Sequence, residues 1–91
     1  MNNANYLFLD LCFEDHMDFM GNDLLNDKDA WSYKNIKDEL HCQTLCQAHN
    51  DCKFWTFGKD KYKGNCWLKS SNKGRVKSSK GLISGPKICG K

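Results

Sequence analysis

The sequence predicts an α+β domain braced by disulfides. Three observations carry the prediction. A single stretch of helical period lies near the middle of the chain, short aromatic and β-branched runs follow it, and six cysteines stand among 91 residues. A chain this short buries only about 60% of its unfolded surface. A core of that size seldom contributes more than about 3–5 kcal/mol, so covalent cross-links are expected to decide whether it folds.

Residues 1–11 read as a lead-in, in which the apolar run Tyr6-Leu7-Phe8-Leu9-Asp10-Leu11 suits a strand or an ordered approach to Cys12. That run is short, interrupted by Asp10 and preceded by no basic segment, so it is not a signal peptide. The expectation is therefore that Met1 begins a piece of a longer secreted chain, one repeat of several. No apolar run approaches the roughly 18 residues of a membrane span, so no membrane insertion is expected. Short strands are placed near Cys12–Glu14 and Asp23–Leu25, separated by the turn signals Gly21-Asn22-Asp23 and Asn26-Asp27.

One helix is expected from Ile36 to His49, capped by Asn35 and free of Gly and Pro. Cys42, Leu45, Cys46 and His49 share one face at 100° per residue. Leu40 lies nearly opposite, which predicts cover on more than one side, and Asn50 suits the left-handed position that ends a helix. Phe54-Trp55-Thr56-Phe57 is apolar or β-branched on both faces and reads as a central strand. Cys66-Trp67-Leu68 returns beside it after a charged loop. A brief strand is expected at Val76, and Leu82–Gly85 and Lys87–Cys89 close the domain, with Pro86 marking an edge position. Residues 90–91 are a tail.

An even number of cysteines lets every thiol pair, and paired thiols place the chain in an oxidising, extracellular compartment. Six cysteines permit fifteen connectivities, and spacing alone does not select one. Geometry favours one of them. Cys42 and Cys46 lie on one helix face, Cys46 is placed to reach Cys52 across the turn, Cys42 then meets Cys66, and Cys12 and Cys89 join the ends. Zinc held by Cys42, Cys46, Cys52 and either His41 or His49 is the competing use. Its spacing departs from the two-cysteine knuckle, and it would strand three cysteines. No metal and no cofactor are expected.

Charge is strongly polarised. Residues 1–52 hold three basic side chains against ten acidic ones, a net of −7, and residues 53–91 hold eleven against Asp60 alone, a net of +10; together these give the chain's +3. Two readings are open. The basic half could form a polyanion-binding face, or the halves could neutralise each other on folding, and the second is preferred. The candidate ligand residues are Lys59, Lys61 and Lys63 in one loop and Lys69, Lys73, Arg75, Lys77 and Lys80 beyond it. If the two loops meet, they form a cationic strip for sulfated glycans or acidic receptor segments, against an ordinary solvated face at even weight. Trp55 and Trp67 are assigned to the core, although an indole beside a sheet cleft also stacks on sugar rings. Trp31 and Tyr33 are better placed for exposed contact, and His49 is expected to hydrogen-bond near the helix end. No nucleophile motif accompanies His16, His41 or His49, and the pairs Glu14/Asp15 and Asp38/Glu39 read as solvated charges, so no catalytic residues and no enzyme activity are expected.

A distant first cysteine, Cys-x3-Cys on a helix, Cys52 leading into Lys53-Phe54-Trp55-Thr56-Phe57, Cys66-Trp67-Leu68-Lys69, and the ending Ile83-Ser84-Gly85-Pro86-Lys87-Ile88-Cys89 together resemble the PAN/apple domain. The resemblance spans 12–89 and looks closest to the apple repeats of apicomplexan microneme adhesins and of plasma prekallikrein relatives. It implies a small antiparallel sheet cradling the helix, with Cys12–Cys89, Cys42–Cys66 and Cys46–Cys52 paired. It further implies a secreted adhesion module, reaching the surface through a secretory organelle, that binds a host-cell glycan or protein receptor. Neighbouring apple repeats or partner adhesins are the other implied partners, and nucleic acid is not one. A module that docks proteins to assemble a larger complex or a protease zymogen, with no glycan binding, is the alternative. The acidic stretch between Cys12 and the helix departs from basic relatives, so their ligand surfaces do not transfer.

Overall fold

The computed structural model describes residues 12–78 and 81–89; the expected strand at Tyr6–Leu11 lies outside them. Seven elements follow in order: β1 (Glu14–Asp15), β2 (Met17–Phe19), α1 (Glu39–Gln47), β3 (Phe54–Gly58), β4 (Cys66–Lys69), β5 (Arg75–Lys77) and β6 (Leu82–Pro86). An antiparallel sheet of order β1-β6-β3-β4 lies between α1 on one face and the antiparallel β2–β5 ribbon on the other. The chain is thus α+β, with a sheet cradling one helix as expected and a second, smaller sheet that the sequence did not reveal.

The two faces follow from the two-residue period of strands. Trp55, Phe57, Cys66, Leu68 and Ile83 are buried in one core cluster with the helix cysteines Cys42 and Cys46. Thr56 and Ser84 point to the other face, towards the ribbon. Ser84 Oγ donates to the Met17 carbonyl at 2.7 Å, so Thr56 Oγ1, 2.7 Å away, must be the donor in the Thr56–Ser84 bond. Phe19 meets Phe54 edge-on at 5.3 Å on the same side. Gly85 faces Trp55 across the ladder, where a Cβ would come within 2.7 Å of the indole, so the large ring dictates glycine.

Two of the strand assignments need adjustment. β3 is central, as its composition predicted. β6 is also internal, but β1 pairs only with Ser84 and Ile83, which leaves Pro86 beyond its reach and locally at an edge. The Pro86 carbonyl instead accepts from Trp55 Nε1 at 2.8 Å and from Gln43 Nε2 at 3.4 Å. Asp23 makes only an isolated bridge to Lys69, and with Leu24 and Tyr33 it covers the outer edge of β4: Leu24 N donates to Leu68 O at 2.9 Å and Tyr33 N to Cys66 O at 2.8 Å. A covered edge has no free ladder to offer other chains.

The helix is shorter than the uninterrupted run suggested. Asn35 does not cap it; its φ is +59°, and Ile36 N donates to Gly64 O, tying this stretch to the β3–β4 loop. Asp38 is the cap, its carboxylate accepting from His41 N at 2.9 Å. At the other end Ala48 closes the helix in a right-handed conformation, and Asn50 is not left-handed. Leu40 is 47% exposed, so the cover expected on the side opposite the cysteines is only partial there. Nine residues are marginal as an isolated helix, and this one is held by its cysteines and by Gln43 and Gln47, whose amides reach Pro86 O and Lys87 O.

All six cysteines are paired, as Cys12–Cys89, Cys42–Cys66 and Cys46–Cys52, leaving no thiolate for zinc. Their sequence separations of 77, 24 and 6 residues correspond, in the chain-entropy model, to about 4–5, about 3–4 and about 2 kcal/mol. The loops are nested, so these values do not add. Even a fraction of them matches the stability of a typical small domain.

Candidate functional site

The ribbon and the β3–β4 loop enclose an open cleft of about 510 Å³ on the sheet face away from the helix. Alternation builds it. Cys66 and Leu68 turn towards the helix, so Trp67 and Lys69 turn the other way. Trp67 is therefore half-buried and lines the cleft, not the core to which the sequence assigned it. Tyr62, from the loop, meets its indole edge-on with centroids 5.9 Å apart. Opposite them stand Met20, Gly21, Val76 and Lys77 from the ribbon end, and Asp18, Asp23, Lys69, Ser78 and Leu82 complete the lining. The ribbon closes because Gly74 has no side chain. A Cβ there would lie 2.0 Å from the Met20 carbonyl, and Met20 N donates to Gly74 O at 3.0 Å.

Lys69 is not part of an exposed strip. It is 4% exposed, with Nζ 2.5 Å from Asp23 Oδ1 and 3.3 Å from Gly21 O. Its charge is spent on holding the 21–23 turn against β4. The remaining cations are distributed among separate hollows. Lys59 lies 3.7 Å from Asp15, and with Lys63 and Lys37 it borders a second concavity beside the helix start. Lys61 Nζ sits 5.7 Å over the Tyr62 ring. Arg75 makes a bidentate pair with Glu14, Nε to Oε1 at 3.2 Å and Nη2 to Oε2 at 2.9 Å, on the rim of a third hollow. Lys73 is exposed, Lys77 borders the main cleft, and Lys80 falls outside the described residues.

The three ion pairs among the described residues, Lys59–Asp15, Lys69–Asp23 and Arg75–Glu14, each join the basic half of the chain to the acidic half. Mutual neutralisation, the preferred reading of the charge polarity, is therefore realised at those positions. The exposed pairs contribute little stability; Lys69–Asp23 is the one removed from water.

The aromatic assignments separate further. Trp55 is fully buried, with Phe13 edge-on at 4.9 Å. Trp31 is 58% exposed, as expected. Tyr33 is not: it packs against the core, and its hydroxyl donates to Asp27 Oδ1 at 2.8 Å. Burial first, then the Asp27 carboxylate, pushes its phenol above the usual value of 10.0. His49 hydrogen-bonds near the helix end as expected. Its Nδ1 accepts from Asp51 N at 3.0 Å, which leaves Nε2 to donate to Leu25 O at 3.1 Å. Sequence reasoning missed Asp18, Asp23, Met20 and Tyr62 as cleft residues, and nothing in the local pattern brings them together.

No helix among the described residues is long and apolar enough to cross a membrane. No curated protein matches the chain. The family model of the PAN domain matches residues 12–89, almost the whole chain, over the same three-disulfide α+β frame. The chain belongs to the PAN domain family, whose members are generally non-catalytic modules that bind protein or carbohydrate.

Proposed function

We propose that this domain is an extracellular adhesion module, one repeat of a larger secreted protein of the microneme type, that engages carbohydrate on a host or partner surface. The Trp67–Tyr62 cleft carries this reading. A half-exposed indole beside carboxylates and a lysine is the combination that packs on the C–H face of a sugar while holding its hydroxyls. Lys77 borders it, and Lys61, Lys63 and Lys73, exposed but not part of its lining, add long-range attraction to a negatively charged cell surface, an effect that salt weakens. Several weak copies in tandem would multiply the affinity.

The test is binding of the chain and of Trp67→Ala to a glycan array and to host-type cells. Wild type binds both, and W67A loses at least about tenfold, equivalent to about 1.4 kcal/mol. Equal binding by a folded W67A would remove the cleft from the adhesive surface. A second reading, docking of protein with no glycan binding, is favoured by Trp31 and Leu25, 58% and 46% exposed, which flank the Asn26–Ala30 turn and do not line the cleft. Under that reading Trp31→Ala, not W67A, abolishes capture of a partner.

A further inference from the structure

We infer that the cleft selects an uncharged glycan terminus and discriminates against sulfated or carboxylated ones, contrary to what the lysine-rich sequence around it suggests. The inference rests on the carbohydrate reading of the cleft and specifies its ligand class. Charge within the cleft decides the matter. Its ionisable lining residues are Asp18, Asp23, Lys69 and Lys77, two of each sign. The positive member at the floor is already committed, since Lys69, whose side chain is only 5% accessible, donates to Asp23 Oδ1 and to the Gly21 carbonyl. An anionic group entering here would gain only the Lys77 ammonium and would stand beside two carboxylates, so its desolvation would go uncompensated.

Sugar hydroxyls fit better. Carboxylates accept two hydroxyl protons each, and the Asp23 side chain is 35% exposed. Lys77 can donate to a hydroxyl or ring oxygen, and the Trp67 face supplies apolar contact to ring C–H groups. The cleft volume of about 510 Å³ lies inside the small-ligand range of roughly 300–1,000 Å³. Two of the cations that would read sulfate are already paired with carboxylates, Lys59 towards Asp15 and Arg75 in its fork with Glu14.

The experiment presents the whole chain to an array of neutral, sialylated and sulfated glycans at about 0.05 and about 0.5 M NaCl. Neutral glycans should give the stronger signals and change less than about twofold with salt. W67A should lose at least about tenfold on them. Asp18→Asn, which leaves the Lys69–Asp23 pair intact and so does not threaten the fold, should weaken neutral binding severalfold. Asp18→Lys should shift preference towards sulfated glycans. Dominant, salt-labile binding to sulfated glycans would overturn the charge argument while leaving the carbohydrate reading standing. Silence across the array, with partner capture that depends on Trp31, would overturn that reading itself. Neutral binding unaffected by both W67A and D18N would move the site off this cleft.

Discussion

Deleting either partner of the Lys69–Asp23 pair removes the same ion pair, yet the structure predicts very different costs. The Lys69 side chain is 5% accessible and the Asp23 side chain 35%. Asp23→Ala strands an ammonium in a nearly dry site with one remaining acceptor, the Gly21 carbonyl at 3.3 Å. Breaking a buried pair in this way costs about 3–5 kcal/mol, and the partial exposure of Asp23, which admits water to the vacated space, places the cost near the lower end, about 3 kcal/mol. Lys69→Met keeps the packed stem and leaves a carboxylate that can turn to solvent, so its cost is about 1 kcal/mol or less. For a domain of this size each kcal/mol moves Tm by about 4–8 °C. D23A should therefore lower Tm by roughly 12–24 °C, and K69M by no more than about 8 °C. Urea titration with the disulfides intact, followed by the fluorescence of buried Trp55, measures the difference. It should persist at about 0.5 M NaCl, because a desolvated pair is screened little. If K69M costs as much as D23A, or both fall below about 0.5 kcal/mol, the Lys69 ammonium is solvated, and the exclusion of Lys69 from the cationic surface fails.

Two further outcomes follow from buried and half-buried hydroxyls. Thr56→Val should cost only about 0.5–1.5 kcal/mol, because Ser84 still donates to Met17 O, whereas Ser84→Ala leaves both the Thr56 hydroxyl and the Met17 carbonyl without their partner and should cost about 1–3 kcal/mol more; equal denaturation midpoints would contradict the donor assignment. Tyr33 should ionise above the ordinary phenol value of 10.0 in an alkaline absorbance titration. Because its folded pKa is raised, the stability it contributes is complete below the unfolded value of 10.0 and is lost as pH rises through the folded value. Tyr33→Phe should flatten this alkaline decline and remove the late-ionising component of the titration, and a titration unchanged by the substitution apart from amplitude would argue against its burial beside Asp27.

Much of the frame was legible in the chain. The helix face carrying Cys42 and Cys46, together with the family resemblance, pointed to the pairing, and the apolar and β-branched run at β3 to the central strand. The helix face and the β3 run are local patterns whose period has few three-dimensional solutions. The helix start was not legible, because Asn35 and Asp38 are both good caps one turn apart. The choice between them fell to a distant hydrogen bond, Ile36 N to Gly64 O. The edge protection of β4 was equally hidden, since the short strand expected at Asp23–Leu25 names no partner and residues 22–33 acquire their role only by lying beside a finished sheet.

The candidate site divides along the same line. From the order of its residues alone the chain specified three disulfides, one helix, an aromatic hairpin and a polarised charge, because those depend on spacing and composition. Folding decided that Trp67 faces a cleft and Lys69 a carboxylate. Alternation along a strand dictates that adjacent side chains point apart, but what waits on each side is set by segments far away in sequence, here a ribbon made of residues 17–19 and 75–77. Proximity of that kind has no signature in a linear string, and it is what converts a lysine-rich sequence into a neutral, aromatic-walled cleft.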